Sequence, residues 1–469
     1  MSEGIRFGTD GWRAVIAEEF TFENIRIIAQ AMSDYLKETG KAEKGIAVGY
    51  DTRFMSDKFA STIADVLGSN GIHVYLSHCI CPTPLLSYAV YHRKLAGGIM
   101  VTASHNPYIY NGVKFKAEYG GSAMIPMTQA IESQLGINKP IYDSVMSQNN
   151  IETVDFFPEY RHHVTRFIDF EKINNYDKTI AIDSMHGAGL TYLSQFLENS
   201  TIKVATIRCN PHPTFNGILP EPILKNLHEL RDAILDFDAF IGLATDGDGD
   251  RFGILDENGS FVELHDLMPL IFEYIMKTRH WPGDVVRTTS MHNTIDLMAA
   301  KYDRHVIEVP VGFKNVCEQM LEHIIIIGGE ESGGFGFYNH IPERDGILSC
   351  LLFLEMMAST DKNVSQMVKI LRNEYGPFVY GRVDEYFNPL ILHKNLESLR
   401  SYPPNAIGGF RVSDVSLIDG IKFYFRENAW MLMRVSQTEP LCRVYVGAEI
   451  RDHVDELLKA GVALLTREC

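Results

Sequence analysis

Three times along the 469-residue chain, a short apolar run breaks into a polar loop. The runs are Gly98-Ile99-Met100-Val101, Phe240-Ile241-Gly242-Leu243-Ala244 and Ile324-Ile325-Ile326-Ile327, and the loops occupy 102–107, 245–251 and 328–334. A strand-length run without polar alternation is buried on both faces, as in a parallel sheet covered by helices. Its loop then emerges at the carboxyl edge of the sheet, where open α/β folds place their chemistry. We read one α/β unit used three times, although sequence identity between the three segments is slight.

The rest of the chain fits this reading. Thr21 predicts the start of a helix with Ile25, Ile28, Ala29, Met32 and Leu36 at helical spacing, ended by Gly40. Strands are expected at 5–7, 46–50, 179–183, 252–255, 285–289 and 306–309, a helix from 156 to 173, and a hairpin turn at Asn258-Gly259. The polar stretch 147–150 reads as a surface segment between domains. The last ~90 residues differ: 421–426 and 430–435 alternate as antiparallel strands do, and 454–465 closes the chain as a helix. The fold class expected is three similar α/β/α domains with mainly parallel mixed sheets, plus a C-terminal α+β domain, around a central cleft. The boundaries expected are 1–145, 146–256, 257–372 and 373–469. Length alone leaves room for three domains of ~150 residues or four smaller ones.

Composition narrows the partners. The formal charge of −17 argues against a nucleic-acid partner, so an anionic substrate must be met by Arg and Lys within the motifs. The seven cysteines match no zinc or redox spacing and read as reduced thiols. No apolar signal segment opens the chain, and no apolar run approaches the ~20 residues that span a membrane. A cytoplasmic enzyme is expected.

The loops carry the chemistry. Ser104 beside His105 is a nucleophile or phosphoryl carrier; the alternative is a Ser/Asn/Pro turn. Asp246, Asp248 and Asp250, separated by glycines, form an oxygen-ligand set for Mg²⁺ or Ca²⁺. An EF-hand would align Glu257 as its last ligand, but Arg251 stands where that loop needs glycine and the flanks read as strands. A serine loop and a triple-carboxylate loop together suggest phosphoryl transfer.

At this point the sequence resembles the α-D-phosphohexomutases, the relatives of phosphoglucomutase and phosphomannomutase. The matching motifs run from end to end: 7–13 (Phe-Gly-Thr-Asp-Gly-Trp-Arg), 102–107, 246–251, 329–334 (Gly-Glu-Glu-Ser-Gly-Gly) and 434–440 (Arg-Val-Ser-Gln-Thr-Glu-Pro). The resemblance implies that Ser104 is a phosphoserine that passes its phosphoryl to a hexose monophosphate. A hexose 1,6-bisphosphate, which also serves as activator, turns over in the site and returns its other phosphoryl. One Mg²⁺ per chain would be held by Asp246, Asp248, Asp250 and the phosphoryl on Ser104. Lys114 is the matched acid–base group, or else only binds phosphate; His105 orients the serine loop. Arg251 touches the phosphoryl or sugar, or else balances the three carboxylates. Where some members carry a histidine after Glu-x-Ser-Gly, this chain has Gly334, and Lys314 is the substitute implied by glucose-type members. Glu330 and Ser332 match the sugar-recognition loop, while Glu331 reads equally as an exposed turn. Arg434, Ser436, Gln437, Thr438 and Arg443 would grip the non-reacting phosphate. Arg13 and Arg53 touch phosphate or form structural ion pairs. The expected activity is a glucose-type mutase, monomeric or dimeric, acting on a small phosphosugar. The alternatives are a dual-specificity enzyme, a sugar-phosphate phosphatase, a phosphosugar-binding protein, or a structural Ca²⁺-binding protein.

Overall fold

A computed structural model describes residues 4–8, 10–426, 428–435 and 441–466. The first sheet contains β1 (Trp12–Val15), β2 (Ile46–Tyr50), β3 (Val74–Ser77), β4 (Gly97–Val101), β5 (Tyr110–Ala117) and β6 (Ile151–Val154). The second contains β7 (Thr179–Asp183), β8 (Lys203–Ile207), β9 (Gly242–Thr245), β10 (Phe252–Leu255) and β11 (Phe261–Val262). The third contains β12 (Asp284–Thr288), β13 (Val306–Val309), β14 (Ile325–Glu330) and β15 (Gly334–Phe337).

The same four-strand kernel recurs in all three, as β5-β4-β2-β3, β10-β9-β7-β8 and β15-β14-β12-β13. The strand that feeds each functional loop (β4, β9 or β14) runs parallel to one neighbour and antiparallel to the strand that follows it. Each loop is therefore the tip of a hairpin held on both sides by ladder hydrogen bonds, a rigid mount for chemistry. The repeat expected from the strand–loop pattern exists as topology, even though the three sequences hardly match.

Several boundaries differ from expectation. Residues 5–7 form no strand; the chain first enters the sheet at β1, antiparallel to β5. The expected 145/146 boundary falls before β6, which pairs in parallel with β3, so the first sheet runs to 154. The stretch read as a surface segment is exposed at Gln148 and Asn149 and anchored at its ends: Ser147 is buried, and Asn150 Nδ2 donates to Gly68 O at 2.9 Å. The second sheet runs past 256 because β11 pairs with β10 across the Asn258-Gly259 turn. Ile324 is 52% exposed while Ile325 to Ile327 are buried, so β14 begins one residue later than the isoleucine run.

The second and third sheets share one apolar core. Helix Gly346–Thr360 is buried along Ile347, Leu348, Leu351, Leu352 and Leu354 and packs on β9, β10 and β15 alike. Each such side chain contributes ~1.5–3 kcal/mol on burial, so the two sheets form one stable block. Among the described residues, the C-terminal unit is one antiparallel sheet ordered β16-β21-β20-β19-β18-β17. Its strands are β16 (Val379–Tyr386), β17 (Ala406–Ile407), β18 (Phe410–Ser416), β19 (Ile421–Phe425), β20 (Trp430–Val435) and β21 (Leu441–Ala448). Helices Pro389–Ser401 and Arg451–Thr466 cover it. The buried Lys422 ties this unit to the third, donating to Thr289 O (2.6 Å) and Glu308 Oε1 (3.2 Å).

Candidate active site

Ser104 sits at the tip of the β4–β5 hairpin, fully buried, with φ of +52°. This left-handed backbone is unfavourable for a serine and persists only where the surroundings impose it. They do so through the buried Arg53. Its Nη1 donates to Pro107 O and Tyr110 O, both at 2.9 Å, and its Nη2 to Ser104 O (2.6 Å) and Asn106 O (2.7 Å). Asp51 pairs with Arg53 Nε (3.1 Å) and accepts from Thr102 Oγ1 (2.7 Å), which in turn accepts from Ser104 N (2.9 Å). Arg53 thus resolves as a structural cradle for the loop. Arg13 also contacts the loop, donating to Asn106 Oδ1 at 2.8 Å.

The β9–β10 loop meets the serine directly. A Cβ on Gly247 would lie 2.3 Å from Ser104 O, so only glycine permits this approach. Ser104 Oγ donates to Asp246 Oδ2 at 3.0 Å. Asp246, Asp248 and Asp250 are fully buried, with one carboxylate oxygen from each within 4.8 Å of the others. Asp248 Oδ1 and Asp250 Oδ1 are buried with no hydrogen-bond partner among the described residues. Orphaned buried carboxylate oxygens converging on one point suit a hard dication such as Mg²⁺. Burial, reinforced by Asp248 and Asp250, pushes the Asp246 carboxyl well above its usual range. Burial acts the same way on Asp248, but Lys114 outweighs it and holds that carboxyl low.

Lys114 and Lys116 alternate on β5 and therefore share a face. Lys114 Nζ lies 2.7 Å from Asp10 Oδ2, 2.8 Å from Asp248 Oδ2 and 3.3 Å from Asp250 Oδ2. Burial alone would lower its pKa, but the three carboxylates hold it above the ordinary lysine value. The lowered pKa that a base requires is thus reversed, because three carboxylates surround the ammonium. Lys314 behaves oppositely: burial lowers it, and no described residue pairs with its Nζ. His105 Nδ1 lies 3.4 Å from Ser104 Oγ, and burial followed by Arg251 and Arg13 keeps the ring neutral. Arg251 donates its backbone N–H to Asp246 Oδ1 (3.1 Å) while its guanidinium faces Glu221 at 3.7 Å.

On the β14–β15 hairpin, Ser332 Oγ donates to Glu330 Oε1 at 2.7 Å. Glu331 is no exposed turn residue; its carboxylate accepts from Ser290 Oγ, and burial raises its pKa. Arg434 and Arg443 stand directly opposite each other on β20 and β21. Ser436, Gln437 and Thr438 lie outside the described residues.

Sequence reasoning assigned no role to Asp10 or Arg344, yet they join the three hairpins. Arg344 reaches Asp250 Oδ2 (2.6 Å), Asp10 Oδ2 (3.1 Å) and Glu330 Oε1 (2.9 Å). A Cβ on Gly334 would meet Arg344 Cδ at 2.0 Å, so the arginine fills the space beside the β14–β15 loop. The available signal was Glu343-Arg344-Asp345, three charges in a row just before an apolar helix. All three are buried, and Glu343 binds Lys116 Nζ at 2.5 Å.

Comparison with known proteins agrees with this architecture. Family models for phosphoglucomutase/phosphomannomutase α/β/α domains I, II and III match residues 4–139, 158–259 and 264–375. A protein from Pyrococcus furiosus named probable phosphoglucosamine mutase is 30% identical, with 98% of both chains covered. The chain belongs to the phosphoglucomutase/phosphomannomutase family. A phosphoglucomutase/phosphomannomutase of Thermococcus kodakarensis is 29% identical, again with 98% of both chains covered. A crystal structure from Thermus thermophilus that carries the name putative phosphomannomutase superposes with a TM-score of 0.88 at 35% identity over the whole of both chains. The protein is therefore a phosphohexomutase, an isomerase that moves a phosphoryl group within a phosphosugar.

Proposed function

We propose that this phosphohexomutase interconverts hexose 1-phosphate and hexose 6-phosphate, with glucose phosphates as the preferred pair, through a phosphoserine at Ser104. The observation that carries the reading is the 3.0 Å approach of Ser104 Oγ to Asp246 Oδ2, where the buried Asp triad meets the serine. The phosphoryl passes from Ser104 to the free sugar hydroxyl, whose proton leaves. The resulting hexose 1,6-bisphosphate turns over, and its other phosphoryl returns to Ser104. Asp246, Asp248 and Asp250, with an oxygen of the seryl phosphoryl, would hold one Mg²⁺, which offsets charge on the transferring group. Lys114, held protonated by its three carboxylates, starts as a proton donor, and Lys314, lowered by burial, is suited to accept. Glu330 and Ser332 recognise adjacent sugar hydroxyls, and Arg344 fixes the Glu330 carboxylate from behind. Arg434 and Arg443, directly across a ladder from each other, bring two cations to one place, which suits the non-reacting phosphate.

The test is phosphorus NMR of the protein with Mg²⁺, a trace of glucose 1,6-bisphosphate, and glucose, mannose or glucosamine 1-phosphate in parallel. Conversion of the glucose substrate ahead of the others supports the reading. Preferential conversion of the glucosamine substrate overturns the sugar assignment, and release of inorganic phosphate without isomerisation overturns the mutase cycle.

A further inference from the structure

The turn between β18 and β19 reaches from the C-terminal unit into the third. It is tightly set: Gly420 has φ of +73°, and a Cβ there would lie 2.1 Å from Met433 O, one residue before Arg434. This places the preceding residue, Asp419, against Arg434. Asp419 Oδ2 is 2.7 Å from Arg434 Nε and also accepts from Val311 N at 2.9 Å. Val311 opens the segment Val311-Gly312-Phe313-Lys314, so one carboxylate oxygen links the phosphate grip to the Lys314 loop.

We propose that Asp419 is a positioning residue for phosphosugar binding, restraining Arg434 through their ion pair while anchoring that grip to the third domain. The inference rests on the reading of Arg434 as a phosphate ligand. Among the described residues nothing else pairs with the Arg434 guanidinium, whose planar fork suits a bidentate contact. Asp384 stands in the matching place for Arg443, at 3.5 Å, on the sheet's own strand β16, where it also binds Arg382. Asp419 therefore couples phosphate capture to the position of the C-terminal unit. Because a carboxylate near an incoming dianion is repulsive in itself, its contribution is orientation rather than attraction.

The experiment is a kinetic double-mutant cycle on the full-length protein with glucose 1-phosphate, using Asp419→Asn, Arg434→Ala and the double variant. Asp419→Asn keeps an acceptor for Val311 N–H but loses the charge that holds Arg434. KM should rise about ten-fold with kcat changed less than about three-fold, and the effect should vanish in the Arg434→Ala background. Asp419→Glu, which keeps the charge, should restore most of the loss. Additive effects of the two substitutions, an Asp419→Asn variant with unchanged KM, or a loss confined to kcat would each overturn the proposal. If Arg434→Ala alone leaves KM unchanged, the phosphate-grip reading itself fails. A scaffold role alone would lower the unfolding temperature of Asp419→Asn without the KM change, and that also refutes the proposal.

Discussion

Replacing Arg53 with lysine isolates what the serine loop requires. The guanidinium hydrogen-bonds four backbone carbonyls around Ser104 and ion-pairs with Asp51, with no solvent exposure of its side chain. A lysine ammonium has three N–H donors on one atom and cannot reproduce the planar fork. At least two of the five oxygens lose their partner in a dry site. At ~1.5–3 kcal/mol for each bond to a charged donor, the loss is about 3–6 kcal/mol. For a unit of this size, at ~2–4 °C per kcal/mol, the first α/β domain should unfold at least about 6 °C lower. The loop should also relax from the φ of +52° that aims Ser104 at Asp246. A shift of roughly 1 Å there would reduce kcat about 10²-fold. Calorimetry reads the first effect, and mutase assays well below the transition read the second. An Arg53→Lys variant unfolding within about 1 °C of wild type, with full turnover, would show that the fork does not hold the loop.

Other perturbations follow from the same geometry. Arg344→Gln leaves Asp10, Asp250 and Glu330 facing one another without their shared cation, and kcat/KM should fall about 10²-fold in steady-state assays while circular dichroism stays native. EDTA should abolish turnover and added Mg²⁺ restore it, whereas Asp248→Asn should show no titratable Mg²⁺ site by calorimetry. Because Asp246 is raised by burial and its two neighbours, a dication competes with a proton for that carboxylate. Apparent Mg²⁺ affinity should therefore rise with pH, and calorimetry in buffers of different ionisation enthalpy should detect proton release. His265, lowered to about 3 by burial and Lys422, accepts His292 N–H on Nδ1 and stays neutral in the fold. Between the unfolded value of 6.5 and about 3 the unfolded chain binds one more proton, so stability falls with falling pH at about 1.4 kcal/mol per unit. Urea denaturation of His265→Gln should show a correspondingly shallower acid limb.

The elements legible in the sequence were those whose signal is local. Apolar runs marked β4, β9 and β14, and the alternating residues of 246–250 pointed to the buried carboxylate cluster, because strand burial and the convergence of a short loop depend on near neighbours. The boundaries at 145/146 and 256/257 were placed too early, because β6 and β11 are short edge strands that form only by pairing with partners elsewhere in the sheet. The roles of Arg53 and Arg344 were not fixed by their neighbours in sequence. Arg53 reaches Ser104, 51 positions on, and Arg344 reaches Asp250 and Asp10, 94 and 334 positions back, and only the assembled hairpins reveal what the charge is for. Lys114 was legible as a position but not as a charge state, since its protonation is set by Asp10 and the Asp triad arriving from separate segments.

The central claim is that Ser104 carries the phosphoryl group. The direct measurement is to incubate the full-length protein with Mg²⁺ and glucose 1,6-bisphosphate labelled with ³²P, quench it, and map the label by peptide mass spectrometry, alongside Ser104→Ala. The account predicts stoichiometric acid-stable label on the peptide containing Ser104, its discharge to added hexose monophosphate, and neither label nor mutase turnover in Ser104→Ala. Label on another residue, or mutase turnover by Ser104→Ala close to that of the wild type, would contradict it.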